Sequence, residues 1–119
     1  MKAQLPNIIA RYIEASNTAD RSAFLATFAP DALVNDVQRE FWGRDAIATW
    51  ADKELFAAHV TMDVKRIQEH YGDAIVTAKL DGTYDKTGLP DPLIMTFYFT
   101  VKGDKIVKLI ILLNKSAAS

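Results

Sequence analysis

The chain has no cysteine, which excludes disulfides, thiol nucleophiles and thiolate metal sites. Histidine is scarce as well, with only His59 and His70. Two isolated histidines among scattered carboxylates do not make a metal site. Neither sign of charge accumulates: 14 Lys and Arg are spread singly among 15 Asp and Glu, for a net charge of -1. No basic stripe is therefore available to follow a phosphate backbone or to lie on a membrane surface, and neither nucleic acid nor membrane is expected as a partner. No segment approaches the roughly 20 apolar residues that span a bilayer. The longest apolar run, Leu109 to Leu113, has the length of a buried strand. Gly-rich phosphate loops and serine-nucleophile motifs are also missing, so no cofactor is expected.

What remains is the composition of one globular domain. Half of the 119 residues are hydrophobic and 24% are charged, enough for a single core, and residues 1-119 read as one unit. The opening MKAQLPNIIARYIEA interrupts its apolar residues with Gln4, Asn7, Arg11 and Glu14, unlike the continuous core of a signal peptide, so a cytoplasmic location is expected.

Helical spacing of Leu5, Ile8, Ile9, Tyr12, Ile13 and Ser16 predicts an amphipathic helix over 5-18. Asp20 is a good N-cap for a second helix whose apolar side is Phe24, Leu25 and Phe28, with Pro30 as its stop. A strand over 32-37 follows. Gln38 and Arg39 turn the chain into a brief strand ending at Trp42 and closed by Gly43, before a third helix with Ile47, Trp50, Ala51 and Leu55 on one face. From Val60 the apolar period becomes two, with Ile67 out of phase, which predicts a bulge near Arg66. A turn at Gly72 and Asp73 leads into 74-80, and a loop over 81-92 precedes strands at 93-101 and 106-113, joined at Gly103 and Asp104. Helices first and a meander last predict an α+β fold, a curved antiparallel sheet wrapped around the N-terminal helices. Apolar residues on both faces of 97-99 and 109-113 predict that the convex side of the sheet is covered too, by a second copy of the chain.

The stretch FAPDALVND (Phe28 to Asp36) holds the residue of greatest chemical interest. Strand alternation puts Asp36 on the face of Ala32 and Val34. A carboxylate on an apolar face needs a partner, a proton or a water-filled cavity. In a cavity, Asp36 is a general base; alternatively, it caps a turn or pairs with Arg39 or Arg44. Trp50, Phe24, Phe28, Phe41 and Trp42 are of the kind that lines a pocket for a flat apolar ligand, or else they are plain core. Thr96 and Tyr98 share a strand face, so if one meets the cavity the other is nearby. His59 is expected at the end of the third helix and His70 at a surface hairpin.

With this order of elements, RYIEASNTAD (Arg11 to Asp20), FAPDALVND, FWGRDAIATW (Phe41 to Trp50) and GDKIVKLIILL (Gly103 to Leu113) together resemble the SnoaL-like branch of the nuclear-transport-factor-2-like superfamily. The resemblance covers nearly the whole chain and implies the cone-shaped α+β barrel shared with ketosteroid isomerases. It implies a role for two residues: Tyr12 lies where those enzymes place the tyrosine that donates to a developing oxyanion, and Asp36 where they place the aspartate base. Their third group, a protonated aspartate, has no match; Thr96 is nearest to its position. The residue sets of limonene epoxide hydrolases and scytalone dehydratase have no counterparts. The fold hosts many reactions, so three readings stand: an isomerase, dehydratase or cyclase acting near a carbonyl of a compact apolar substrate, a ligand-binding or dimerisation module without catalysis, and a protein-interaction adaptor.

Overall fold

The computed structural model describes residues 7-70, 73-84, 87-89 and 92-113. Leu5, Tyr71, Gly72 and the side chain of His70 lie outside the described residues, and with them the expected helix start, half of the expected hairpin turn and the surface position of His70. Helix α1 (Asn7–Asn17) buries Ile8, Ile9, Tyr12, Ala15 and Ser16 along one stripe, as its spacing requires. Asp20 caps α2 (Arg21–Ala26) by accepting from the Ala23 N–H at 3.1 Å. Pro30 is not what ends this helix. The helix gives way at Thr27, and Phe28 already opens strand β1 (Phe28–Asp36). Pro30 instead lies where the register between β1 and the last strand shifts, between Phe28 and Leu33. An interrupted ladder tolerates a residue with no N–H to donate.

Strand β2 (Arg39–Trp42) returns antiparallel to β1 through a two-residue turn, with Asp36 opposite Arg39. Gly43 then begins α3 (Gly43–Ala51) at φ +84, a conformation that a side chain disfavours. The helix continues as a wider π-turn (Asp52–Phe56). Strands β3 (Thr61–His70), β4 (Asp73–Asp81), β5 (Leu93–Lys102) and β6 (Lys105–Leu113) form the expected antiparallel meander. The bulge falls between Val64 and Arg66. The six strands are ordered β2-β1-β6-β5-β4-β3 in a curved, unclosed sheet. Its pairing is antiparallel throughout except between β1 and β6, which run parallel. Helices α1 and α3 fill the concave side, and no helix among the described residues is long and apolar enough to cross a membrane.

The core is organised by rings. Tyr12 lies 4.9 Å from Phe24, 5.9 Å from Phe28 and 5.1 Å from Phe99, centroid to centroid. Phe24, Phe28 and Phe99 are fully buried. Aromatic pairs in such tilted and edge-on arrangements add about 0.5–1.5 kcal/mol each beyond area burial. This layer joins α1 and α2 to β1 and β5 and fixes where Tyr12 stands.

The β1–β2 turn is strained at two successive residues. Val37 and Gln38 have φ +50 and +71, the conformation of a type I′ turn, which favours Asn-Gly and penalises a β-branched residue. The Asn35 carboxamide oxygen accepts from the Gln38 N–H at 2.8 Å and steadies the turn. Replacing Val37 and Gln38 together by Asn and Gly is expected to stabilise the protein by about 1–2 kcal/mol in urea unfolding; an unchanged or lower midpoint contradicts this reading of the turn.

Candidate active site

A cavity of about 320 Å³ opens between the concave side of the sheet and helices α1 and α3. Its wall is mostly apolar, with Met62, Met95, Phe97 and Ile111 from the sheet and Leu55 from the π-turn. Polar groups enter at few points: Tyr12 and Ser16 from α1, Asp36 from the end of β1, Trp50 from α3, Lys53 and Glu54 from the π-turn, and Tyr84 after β4. Such a composition, sparse polar groups on an apolar wall, is that of a small-molecule pocket. The upper wall is held by a close approach: a Cβ on Gly82 would stand 2.7 Å from the Ala58 carbonyl oxygen, which also accepts from the Thr83 N–H at 2.7 Å.

Asp36 is held in an asymmetric way. Its Oδ2 accepts from the Trp50 indole N–H at 3.0 Å and from the Arg39 guanidinium at 2.7 Å. Its Oδ1 has no partner among the described residues. Arg39 also grips both oxygens of Glu54, at 2.7 and 2.6 Å. One guanidinium thus ties the hairpin base to the π-turn. Arg44, the other cation considered for Asp36, donates instead to the Phe28 carbonyl.

Tyr12 is 1% exposed and borders the cavity. Burial pushes its phenol well above the ordinary tyrosine value, and the Asp36 carboxylate adds to the shift. Both causes disfavour phenolate, so Tyr12 remains a neutral O–H donor in the neutral pH range.

The structure brings three of the expected site residues, Asp36, Tyr12 and Trp50, to one cavity. The rest lie elsewhere. Phe24 and Phe28 are not among its lining residues; they are the core layer behind Tyr12. Phe41 packs on Trp50 with centroids 6.0 Å apart and does not reach the cavity, and Trp42 is exposed. Thr96 and Tyr98 are on the opposite strand phase from Met95, Phe97 and Phe99, so they face the convex side. The more uniformly apolar phase of β5, Leu93, Met95, Phe97, Phe99 and Val101, takes the concave face because that is where the helices pack. His59 is exposed; its backbone N–H, not its ring, closes the turn after α3 by donating to the Phe56 carbonyl at 3.2 Å. Among the described residues no three His, Asp or Glu side chains converge as a metal-ligand set. Ser16, Glu54 and Met62 are lining residues that sequence reasoning missed. Ser16 had a visible signal, one helical turn after Tyr12 on the same stripe. Glu54 had none, because the π-turn rotates it relative to an α-helical count.

Comparison with known proteins agrees with this fold. A family model described as the SnoaL-like domain matches residues 9–109. No curated protein sequence matches. The crystal structure of a proposed polyketide cyclase from Sinorhizobium meliloti is similar at 31% identity and a TM-score of 0.81, covering 91% of this chain and 95% of that one. The Δ5-3-ketosteroid isomerase of a Mycobacterium species shares the fold at 16% identity and a TM-score of 0.73, with 91% of each chain covered. A protein with a ketosteroid isomerase-like fold from Catenulispora acidiphila, crystallised with trimethylamine, aligns at 19% identity and a TM-score of 0.75, over 92% of this chain and 86% of that one.

The Tyr12 shift has a consequence for stability. A phenol whose folded-state value lies above its unfolded value of about 10 contributes stability that is complete below that pH and lost as pH rises beyond it. Urea unfolding should therefore weaken above about pH 10, and Tyr12→Phe should flatten that alkaline decline; an equally steep decline in the variant contradicts the buried, neutral phenol.

Proposed function

The chain belongs to the SnoaL-like domain family, and from that premise we propose that its pocket binds a compact, largely apolar molecule on which Asp36 moves a proton. The observation that carries this reading is the asymmetry of Asp36. One oxygen is fixed by Trp50 and Arg39, so the side chain is oriented before a ligand arrives, while the other remains available as a base. Oδ1 would take a proton from a carbon next to a carbonyl and return it to another carbon of the same molecule, to the hydroxyl that departs as water, or to the alkoxide formed on ring closure. Tyr12 would donate to the carbonyl oxygen as negative charge develops there. Isomerisation, dehydration and cyclisation share this step, and it needs no cofactor. The small cavity volume favours a ligand of one or two rings, and the trimethylamine held by a neighbour of the same fold supports occupancy by small ligands.

A second reading, ligand binding without turnover, is favoured by the Arg39–Asp36 ion pair. The guanidinium and the Trp50 indole together give the carboxylate a structural role, anchoring the base of the hairpin, that requires no reaction. The two readings separate in deuterium exchange at the carbons beside the carbonyl of small cyclic ketones, followed by NMR. For the acid–base enzyme, Asp36→Asn should slow protein-dependent exchange by about 100-fold or more while the ketone still binds. Binding with no protein-dependent exchange in the wild type supports the module instead, and exchange undiminished by the substitution removes Asp36 from the chemistry.

We also infer that the convex face of the sheet pairs with a second copy of the chain. Tyr98 and Leu112 are 37% and 41% exposed there, beside half-buried Ile75, Ile94 and Ile110. An apolar sheet face of this kind favours self-association over water or an unlike adaptor partner. Sedimentation equilibrium should give twice the 13.2 kDa chain mass, and Leu112→Glu should return it to the monomer; a monomeric wild type contradicts the pairing.

A further inference from the structure

Among the described residues, three charged side chains border the cavity: Asp36, Lys53 and Glu54. Two of them are already engaged by one cation. Arg39 holds Asp36 Oδ2 at 2.7 Å and the two oxygens of Glu54 at 2.7 and 2.6 Å. Lys53 is the charge that remains, and among the described residues it makes no hydrogen bond or ion pair.

A lysine between two acids, as in Asp52-Lys53-Glu54, would ordinarily be neutralised by its surroundings. Adjacent residues of a helical turn do not face each other, and both acids are taken by arginines from other elements: Asp52 by Arg21 of α2 at 2.9 Å, and Glu54 by Arg39. The positions three and four residues away, Thr49, Trp50, Phe56 and Ala57, carry no carboxylate. The π-turn brings this uncommitted ammonium to the cavity, and its exposure puts it at the rim. The four-carbon stem of a lysine can lie along an apolar lining while its charge stays in water. An anionic group met at such a rim keeps part of its hydration, so the attraction is not cancelled by desolvation as it is for a buried pair.

We propose that Lys53 makes the pocket selective for amphipathic acids: compact molecules whose apolar body fills the cavity and whose carboxylate rests at the rim against the ammonium. The Asp36 side chain, only 15% exposed, acts in the same sense, because its carboxylate repels a second one from the interior. This inference rests on the pocket reading given above and adds to the substrate class: the ligand carries an acid group at the end away from the atoms on which Asp36 acts, and Lys53 determines that preference.

The probes are 2-naphthoate and 2-naphthamide, which share a two-ring body and nearly the same shape and differ in charge. Their binding is followed by ligand fluorescence near neutral pH and at low ionic strength. The wild type should bind the naphthoate about fivefold more tightly than the amide, the gain from one well-placed exposed ion pair, and salt at about 0.5 M should remove that margin. Lys53→Gln should bind the two probes alike, with the amide held as tightly as by the wild type, which also reports an intact pocket. Lys65→Gln removes the same charge from a lysine paired with Asp63 at 2.7 Å and outside the cavity lining, and it should keep the preference for naphthoate. Equal affinities in the wild type, or a preference that survives Lys53→Gln, overturn the inference while leaving the pocket in place. Loss of the preference in Lys65→Gln as well assigns it to net charge and overturns the role of Lys53. Binding of neither probe by the wild type overturns the pocket reading together with the inference.

Discussion

A single guanidinium, that of Arg39, holds two carboxylates from different parts of the chain, Asp36 at the end of β1 and Glu54 in the π-turn. Its side chain is 52% exposed, so each pair contributes on the order of 1 kcal/mol or less to stability. Its weight is positional. Asp36 is more sheltered, and its charge-assisted bond from the Trp50 indole is of a kind worth about 1.5–3 kcal/mol. Together the two donors fill one carboxylate oxygen and aim the other. The Val37–Gln38 turn belongs to the same device, because a two-residue connection places Arg39 directly opposite Asp36. Strain at that turn is offset by the ion pair and the Asn35 bond at its base.

The opposite requirement is met at Tyr12. Its ring is fixed by Phe24, Phe28 and Phe99, with little room to turn. The same burial that orders the ring keeps its hydroxyl neutral, and the Asp36 charge acts in the same direction. A carboxylate oxygen without a protein partner and a phenol held neutral by burial border one cavity, an acceptor and a donor of the kind that proton transfer next to a carbonyl needs. The aromatic layer that stabilises the fold is thus also the mounting of the site.

Much of this was legible in the sequence because it depends on period. Alternation along ALVND placed Asp36 on the concave face, and helical spacing placed Tyr12 and Trp50 on inward stripes. The bulge near Arg66 followed from the phase of Ile67. Misplacements arose where period was overridden. Phe24 and Phe28 were grouped on one helix face, but the chain enters β1 at Phe28, and both rings are used by the core. For Thr96 and Tyr98 the signal was present and outweighed by resemblance: the odd residues of β5 from Leu93 to Val101 are all apolar, which fixes their face. The Arg39 bridge to Glu54 could not be read at all, since it depends on a π-turn and a positive-φ hairpin that the local residues do not favour.

The central claim is that Asp36 presents a free oxygen to a ligand whose own oxygen rests at α1. The most direct test is a crystal structure of the protein with 2-cyclohexenone bound. The ketone should lie in the cavity with its carbonyl oxygen within hydrogen-bond distance of Tyr12 and a ring carbon next to the carbonyl facing Asp36 Oδ1, while Trp50 and Arg39 keep Oδ2. A ketone bound with its oxygen turned to Arg39 or Lys53, or an Asp36 with both oxygens engaged by protein donors, would contradict it.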